Sequence, residues 1–263
     1  MVKVSIVKSE KPDVKKALDL IDFAPKECEL LVIKPNFCIP RPSSIRATTD
    51  LRVLTQVLKL FENIAKERAV VESDGYYATA EEAFEITGAR ELCEYYGAKL
   101  VNLSKDMCIP VKRDYNALVD FKVPRTILKA DFLVNMPVMK THELTTVSLS
   151  LKNMLGIIHG KKMLYHPRVE EAICDVMKVR KPDLNILDAT TALAFGRPKK
   201  MDLVMASCDA VALDAVACKV MGINPDAVEH IVRAGYYNFG TALLKKIQVV
   251  GEQIENVREK FIF

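Results

Sequence analysis

The sequence has no long hydrophobic run and no closely paired cysteines. None of it reaches the roughly 18 uninterrupted apolar residues that a membrane-spanning helix needs, and its first residues show no signal-peptide pattern. The seven cysteines form no C-x-x-C pair, which argues against a disulfide scaffold and against a complete zinc or iron–sulfur cluster site. We therefore predict a cytosolic protein that neither spans nor binds a membrane.

The sequence also lacks the standard nucleotide-binding motifs. It contains no P-loop, no G-x-G-x-x-G fingerprint, no G-x-S-x-G elbow and no protein-kinase motif set. Its net charge of +4 is small for 263 residues, and its lysines and arginines are scattered, whereas nucleic-acid binders concentrate them on one face. Nucleotide binding through a standard motif is not supported, and we expect no nucleic-acid partner.

What the sequence does contain is an alternation of short apolar runs and helical patterns. The runs 30–33 and 69–71 predict buried strands, and the capping box that begins at Thr79 predicts a helix as far as Thr87. Such alternation indicates an α/β fold with a mainly parallel sheet and helices on both faces, in three layers. We expect a single domain over residues 1–263, with 104–124 as an excursion at a sheet edge. The other predicted elements are helices at 51–66, 89–96, 168–178, 210–221 and 225–234, and strands at 2–7, 99–103, 131–134, 184–187, 203–206 and 247–250.

Polar residues follow five of the predicted strands directly. In open α/β sheets the ligand crevice lies outside the carboxyl ends of the strands. Asp, Asn and Ser at these positions also cap helices or form turns, so Asp209 is at least as plausible as a cap, and a simple turn stays open for Asp74. Lysine is a poor cap, so Lys34 and Asn36, which flank the rigid Pro35, favour a function. The strand-end residues are Lys34, Asn36, Ser73, Asp74, Gly75, Asn135, Asp188, Thr190, Ser207, Cys208 and Asp209.

The stretch 135–166 is dense in cations and imidazoles beside hydrophobic sequence, a combination that is costly to bury without partners. It holds three of the four histidines, His142, His159 and His166. His142, two residues after Lys140, is a candidate acid, base or metal ligand, although a lone histidine is more often structural. His159 and His166 are seven residues apart, which is not a recognised metal spacing. A divalent metal cofactor is therefore conceivable but not supported by ligand spacing.

The segment 145–158 fits a strand in its first half and a helix over its whole length. Residues four apart share a face in both structures, so Ser148 and Lys152 point the same way. In a helix, Thr145, Gly156 and His159 would extend this face into a polar stripe. A lysine and hydroxyls on one face suit a phosphate or carboxylate; the alternative is the solvated face of an amphipathic helix.

Two charged residues stand out further along the chain. Asp214 lies in a predicted helix that is apolar nearly all round, so it needs a cationic partner or a ligand. An internal salt bridge is the simplest explanation, with Lys34, Lys140 or Lys152 as candidate partners. Arg197 follows Gly196 in a predicted tight loop, where it could meet an anion.

Six segments of the chain resemble the prokaryotic family called domain of unknown function 362. They are KPNF from Lys34, TTDLRV from Thr48, AFEITGARELCEYYG from Ala83, ADFLVNMPVMKTHELTTVSLSLKNMLGIIHGKK from Ala130, KPDLNILDAT from Lys181 and SCDAVALDAVACKVMG from Ser207. The resemblance implies a cytosolic protein of bacteria or archaea. Family members often carry a ferredoxin-like domain with two iron–sulfur clusters, whose cysteine spacing this chain lacks. The recurring polar positions that the resemblance implies are Lys34, Asn36, Asp74, Lys140, His142, Lys152, Asn153, His159, Asp188, Asp209 and Asp214.

Our first functional hypothesis is an enzyme or binding protein for a small anionic metabolite. Lysines would bind the anion and His142 would be the acid or base, while a carboxylate would orient this histidine or hold a metal. A desolvated lysine could itself be a base or a nucleophile. The candidate catalytic residues are His142, Lys140, Asp74 and Asp188, and the candidate binding residues are Lys34, Asn36, Asn135, Ser148, Lys152, Asn153, His159 and Asp214.

The second hypothesis is a non-catalytic module that partners a separate iron–sulfur or redox protein. Cys38 and Cys208 are the only cysteines that we would place near the site, because both follow a predicted strand. They are more plausible as small buried residues. The sequence predicts neither the substrate nor the oligomeric state.

Overall fold

The computed structural model describes residues 1–37, 48–76, 78–118, 121–160 and 162–261. Strands and helices alternate along most of the chain. The strands are β1 (Val2–Lys8), β2 (Cys28–Lys34), β3 (Ala65–Glu72), β4 (Lys99–Asn102), β5 (Cys108–Pro110), β6 (Lys122–Pro124), β7 (Phe132–Asn135), β8 (Val138–His142), β9 (Thr146–Ser148), β10 (Leu184–Ala194), β11 (Arg197–Ser207) and β12 (Ile247–Gly251). The helices are α1 (Val14–Leu20), α2 (Leu51–Leu60), α3 (Ala80–Thr87), α4 (Ala89–Tyr95), α5 (Arg125–Lys129), α6 (Ser150–Asn153), α7 (Val169–Val179), α8 (Ala210–Val220), α9 (Glu229–Tyr236) and α10 (Ile254–Val257). Short 3-10 helices lie at Met154–Ile157, Lys162–Arg168, Pro225–Ala227 and Leu244–Lys246.

Within the described residues the main sheet has the strand order β12–β1–β11–β10–β7–β2–β3–β4, and β8 and β9 extend it beside β10. Strand β11 is antiparallel to β1 and to β10, and β9 is antiparallel to β8. The other pairs of the main sheet are parallel. Strands β5 and β6, from the segment 104–124, form a separate two-stranded sheet. The prediction of a mainly parallel sheet is confirmed.

Helices cover both faces of this sheet. Successive residues of β2 point to opposite faces, so Leu31 and Ile33 pack in one hydrophobic cluster and Val32 packs in the other. The first cluster contains apolar residues of α1, α2, α3 and α4, and the second contains those of α7, α8 and α9. Each fully buried valine or leucine contributes roughly 1.5–3 kcal/mol, which holds the helices on the sheet. The predicted three-layer α/β architecture is confirmed.

Two predicted helices have different ends in the structure. The helix predicted at 51–66 stops at Leu60, because the chain turns through Phe61 and then Ala65 begins β3, paired to β2. The helix predicted at 225–234 begins as a 3-10 turn, and α9 then continues through Gly235 to Tyr236. The predicted end of this helix at residue 234 is therefore wrong.

The strands predicted at 184–187 and 203–206 are parts of one long hairpin. Strand β10 continues to Ala194 and β11 starts at Arg197, and the turn between them places Phe195 and Gly196 at positive φ. Asp188 therefore lies inside β10, and the prediction that it follows the end of a strand is wrong. The buried Asp188 is tolerated there because backbone N–H groups satisfy its carboxylate.

The hairpin also reverses β11 relative to its neighbours. Ser207, at the carboxyl end of β11, pairs with Asn185 near the start of β10. The carboxyl end of β11 therefore lies beside the amino end of β10. Cys208 is exposed there, so the expectation of a small buried cysteine is wrong for this residue. Cys38 lies outside the described residues.

The ambiguous segment 145–158 contains both of the structures that its pattern allowed. Strand β9 ends at Ser148, and α6 begins two residues later at Ser150. The buried Asp214 of α8 accepts hydrogen bonds from the N–H groups of Ser150 (2.8 Å) and Leu151 (2.9 Å). A carboxylate at the start of a helix satisfies N–H groups that have no partner within the helix. Asp214 thus holds the beginning of α6 in place.

Candidate functional site

Three neighbouring parallel strands carry polar residues to one edge of the sheet. Lys34 ends β2, Glu72 ends β3 and Asn135 ends β7. Lys34 and Asn135 are directly paired in the register of β2 and β7. All three side chains are buried, so each must find a polar partner within the protein or in a ligand.

Lys34 and Glu72 form a buried ion pair. The Nζ of Lys34 lies 3.2 Å from Oε1 of Glu72 and donates to the carbonyl oxygen of Pro35 at 3.0 Å. Glu72 also accepts from the N–H groups of Phe37 and Ser73, each at 2.9 Å. The carboxylate therefore fixes the chain at the ends of both β2 and β3, and its charge is compensated.

Gly156 lets the helical segment after β9 approach this ion pair. A Cβ at position 156 would lie 2.6 Å from Cε and 2.9 Å from Nζ of Lys34. These distances are far shorter than carbon contacts in packed proteins. The carbonyl oxygen of Gly156 also accepts a hydrogen bond from Oγ of Ser73 at 2.7 Å. Only glycine fits at this position without displacing Lys34.

Four buried asparagines continue from Lys140 as a chain of hydrogen bonds. The Nζ of Lys140 donates to Oδ1 of Asn36 at 2.9 Å, and Nδ2 of Asn36 donates to Oδ1 of Asn153 at 2.9 Å. Asn153 then donates to Asn135 at 2.7 Å. Asn135 donates in turn to Oδ1 of Asn185 at 2.9 Å. We call the four asparagines the amide chain; it ties β2, α6, β7 and β10 together behind the site.

His142 ends β8 and is partly buried. Burial, followed by the positive charges of Lys152 and Lys140, lowers the pKa of His142 from 6.5 to about 4. The imidazole is therefore neutral near pH 7. Its Nδ1 accepts a hydrogen bond from the N–H of Leu144 at 3.2 Å, so the proton of the neutral ring lies on Nε2. His142 thus offers an uncharged N–H donor.

Lys162 brings a further cation to the same edge of the sheet. Its Nζ donates to Oγ of Ser73 at 2.5 Å and to the carbonyl oxygen of Asp74 at 3.0 Å. Both acceptors follow the end of β3, whereas Lys162 begins the 3-10 helix Lys162–Arg168. This contact places a lysine over the residues that the sequence predicted beyond a strand end.

Many of these residues line a cavity of about 240 Å³, which we call the inner cavity, whereas Lys140, Asn135 and Asn185 do not line it. Among the described residues, its lining contains three lysines and two histidines but one carboxylate, that of Glu72, which Lys34 already compensates. Such a wall favours an anion. The residues that line it are Lys34, Asn36, Glu72, Ser73, Gly75, Tyr76, His142, Ser148, Lys152, Asn153, Leu155, Gly156, Lys162, Met163 and His166.

Ser148 and Lys152 face this cavity together, as their four-residue spacing predicted. Ser148 is the last residue of β9 and is paired with Lys140 of β8. Lys152 is the third residue of α6, four residues after Ser148. The predicted shared face therefore exists, although it combines a strand end with a short helix. Thr145 is buried and bonds to the carbonyl oxygen of Val147 instead.

The carboxylates that the sequence offered as partners of His142 have other partners. Oδ1 of Asp74 accepts from the N–H of Ala80 and from Nδ2 of Asn102, each at 2.9 Å. Asp188 accepts from the N–H of Asp50 at 2.7 Å. Asp50 caps α2, so Asp188 holds the start of that helix. Burial raises the pKa of Asp188 to about 6.

Asp209 is a helix cap, the alternative that its position before a helix suggested. Its carboxylate accepts from the N–H groups of Ala212 and Thr241, each at 2.9 Å. Asp214 accepts hydrogen bonds from peptide N–H groups of α6, rather than from one of the lysines predicted as its partner. Burial raises the pKa of Asp214 to about 6.

His159 lies in a second depression of about 650 Å³, which we call the outer groove. It does not line the inner cavity. The outer groove adjoins the inner cavity, because the two have lining residues in common. Its residues are Asp74, Gly75, Tyr76, Ser104, His159, Gly160, Lys162, Met163 and Leu164.

Sequence reasoning missed Glu72, Gly156 as a contact of Lys34, and Asn185. Glu72 is the last residue of β3 itself, whereas the prediction considered only the polar residues that follow a strand. A charged residue that directly follows Val70 and Val71 is the signal that could have identified it. Asn185 lies in the run 184–187, where a single polar residue among apolar ones predicts a buried hydrogen bond.

Most of the chain is similar to a known protein family. Residues 31–219 match the family described as Domain of unknown function (DUF362). The chain belongs to this family. The match includes β2, β3, β7, α6 and α8, and so contains the inner cavity and the amide chain. The resemblance seen in the sequence segments is thereby confirmed.

Individual proteins with similarity to this DUF362 chain are more distant. Thylakoid-associated protein sll1697 of Synechocystis sp. is 25% identical over 229 residues, which cover 77% of this chain and 66% of that protein. The lactate racemase apoprotein of Thermoanaerobacterium thermosaccharolyticum has a TM-score of 0.52 at 13% identity, over 84% of this chain and 57% of that chain. A protein of Thermotoga maritima gives a TM-score of 0.46 at 12% identity, over 81% of this chain and 60% of that chain.

The racemase likeness shows a shared α/β fold and nothing about activity. This DUF362 chain also spans less than two thirds of the length of the cyanobacterial relative and of the racemase. Among the described residues, no helix has the length and hydrophobicity to cross a bilayer. The same residues contain no group of three or more His, Cys, Asp or Glu side chains arranged to hold a metal ion.

Proposed function

We propose that this DUF362 chain is an enzyme that binds a small metabolite by its phosphate or carboxylate group in the inner cavity. His142 acts there as the acid–base residue. The observation that carries the proposal is the lining of the inner cavity, in which the described lysines outnumber the described carboxylates three to one. Buried or half-buried cations in this excess favour an anionic ligand.

Lys152 and Lys162 are the residues that we assign to the anion. Lys34 is compensated by Glu72, so its main task is to hold the ends of β2 and β3. The amide chain keeps the wall behind these lysines rigid, because each amide is fixed by the next. Ligand pockets of drug-sized molecules enclose roughly 300–1,000 Å³. The inner cavity is smaller, at about 240 Å³, and suits an anionic group with a few further atoms.

The lowered pKa of His142 gives the site a neutral proton donor. Nε2 can donate to a ligand oxygen on which negative charge develops, which is the role of a neutral imidazole in several enzymes. A bound anion would also offset the charges of Lys152 and Lys140, which contribute to the low pKa. The pKa of His142 would then rise towards neutrality, where acid–base catalysis is most efficient.

The test is a titration of inorganic phosphate and acetate into the protein, followed by calorimetry and by NMR of the histidine ring signals. In the free protein we expect the pKa of His142 at about 4. Saturation with the bound anion should raise it by about one unit or more. The variant His142→Gln assigns the signal.

A matched pair of lysine variants tests the anion site. We expect Lys152→Met to weaken binding at least tenfold, whereas Lys245→Met, at an exposed lysine outside the cavity lining, leaves it unchanged. If neither anion binds, or if binding leaves the pKa of His142 unaltered, the proposed site is wrong. If the two lysine variants bind the anion with equal affinity, the anion does not bind in the inner cavity.

A further inference from the structure

The inner cavity and the outer groove form one continuous depression. Gly75, Tyr76, Lys162 and Met163 line both. The volumes of about 240 Å³ and 650 Å³ together fall within the range of pockets that enclose a whole small-molecule ligand. A ligand anchored in the inner cavity would therefore have its remaining atoms directed into the outer groove.

The two parts of this depression differ in chemistry. Lys34, Lys152 and His142 line the inner cavity and not the outer groove, whereas the outer groove adds Leu164 to the Tyr76 and Met163 that both parts share. Tyr76, Met163 and Leu164 have 74%, 52% and 73% of their surface exposed. Three such residues around one groove make an apolar patch of the kind that marks a binding surface.

Lys162 lies at the boundary between the two parts. Its ammonium group bonds to Ser73, which lines the inner cavity, and to the carbonyl oxygen of Asp74, which lines the outer groove. Lysine buries its aliphatic stem along apolar surface while its charged end stays with polar partners. Met163 and Leu164 follow it directly in the same 3-10 helix, so a single short segment supplies both a cation and the apolar surface.

We propose that the ligand of this protein has two parts: a phosphate or carboxylate group held in the inner cavity, and a flat apolar group that packs on Tyr76, Met163 and Leu164 in the outer groove. The proposal rests on the proposed function, because the anionic group sets the position of the ligand. It adds the substrate class: an aryl or similarly apolar phosphate or carboxylate rather than a small inorganic or aliphatic anion. Methionine and tyrosine both suit such a group, since they contact aromatic rings favourably.

The experiment compares matched probes by calorimetry: inorganic phosphate with phenyl phosphate, and acetate with phenylacetate. We expect the phenyl member of the better-bound pair to bind at least tenfold more tightly than its parent anion. The identity of that pair decides whether the anionic group is a phosphate or a carboxylate. Lys152→Met should weaken the binding of both members.

Groove variants then separate the two parts of the ligand. Leu164→Ser and Met163→Ser should remove most of the advantage of the phenyl group. Leu164→Ser, at a residue outside the lining of the inner cavity, should also leave the affinity for the parent anion unchanged. Leu243→Ser, at an exposed leucine outside the groove (51% exposed), is the control and should retain the full advantage. All three side chains are exposed, so the substitutions should leave the fold intact, and circular dichroism checks this.

Each other outcome overturns the inference. If a parent anion binds and the phenyl group adds nothing, the two-part ligand is wrong while the proposed function stands. If the advantage survives in both groove variants, the ring binds elsewhere. If sedimentation shows self-association that Leu164→Ser abolishes, a second copy of the chain covers the groove instead. If no probe binds, the inference and the proposed function fall together.

Discussion

The buried carboxylates of two regions of this DUF362 chain are compensated differently. Glu72 is paired with the ammonium group of Lys34 beside the inner cavity. Asp188 and Asp214 instead accept hydrogen bonds from backbone N–H groups at the starts of α2 and α6. A carboxylate that holds a helix start belongs to the fold. A carboxylate that is paired with a lysine at a cavity wall, as Glu72 is, leaves charged groups within reach of a ligand.

Breaking the Lys34–Glu72 pair should have the largest effect. Glu72→Gln leaves a buried ammonium group without its counter-charge, and losses of this kind cost about 3–5 kcal/mol of unfolding free energy. Denaturant unfolding of the variant measures the loss. The exposed pair of Lys99 and Glu67 is the control: Glu67→Gln should leave the unfolding free energy nearly unchanged, because solvent screens an exposed ion pair.

The double variant Lys34→Met with Glu72→Gln sharpens this prediction. Removing both charges should make the protein more stable than Glu72→Gln alone, because no uncompensated charge is then buried. A Glu72→Gln protein as stable as the wild type would show that the ion pair does not hold this edge of the sheet.

The second prediction concerns Gly156, which lies in contact with the same ion pair. Gly156→Ala should cost about 1–3 kcal/mol, because the added Cβ overlaps the end of Lys34. The same substitution in a Lys34→Ala background should cost much less, since the overlap is gone. Equal costs in the two backgrounds, measured by urea unfolding, would place the strain somewhere other than at Lys34.

The smallest expected effect is on the pH dependence of stability, at Asp214. Burial raises its pKa from 3.8 to about 6 in the folded protein. A raised pKa contributes stability that is fully present below about pH 4 and is lost as the pH rises through 6. The stability difference between the wild type and Asp214→Asn should therefore shrink by roughly 1–3 kcal/mol from pH 4 to pH 7.

Denaturant unfolding at four pH values over that range tests this prediction. The exposed Asp226 supplies the control, since Asp226→Asn should give a difference that does not vary in this way. A difference that grows with pH at Asp214 would mean that its N–H partners stabilise the charged form more than burial opposes it.

Most of the fold could be predicted from local patterns. The alternation of apolar runs and helices gave the α/β class, and the capping box at Thr79 gave the start of α3, which the structure confirms. The β10–β11 hairpin could not be predicted in this way. Asp188 and Thr190 interrupt its apolar run, yet both are buried. Asp188 accepts a hydrogen bond from the N–H of Asp50, which lies 138 residues away along the chain, so local patterns cannot predict this partner.

Less of the candidate site could be predicted. Ser148 and Lys152 share a face because their spacing forces it, and Lys34 and Asn36 lie at a strand end as expected. The partners of Asp74 and Asp214 could not be derived, since they are backbone groups that only the packed structure brings near. The expectation of an iron–sulfur or redox partner stays a prediction, because none of the contacts described bears on it.

The direction of the amide chain has a consequence for the sheet as a whole. An ammonium group can only donate, so Lys140 fixes Asn36 with its oxygen towards the lysine, and every later amide follows that orientation. The series ends where Asn185 donates to the carbonyl oxygen of Ser207 in β11. The ammonium group of Lys140, whose acceptor Asn36 lines the inner cavity, thus sets the polarity of four side chains across the sheet, and reversing any one of them requires all of them to turn.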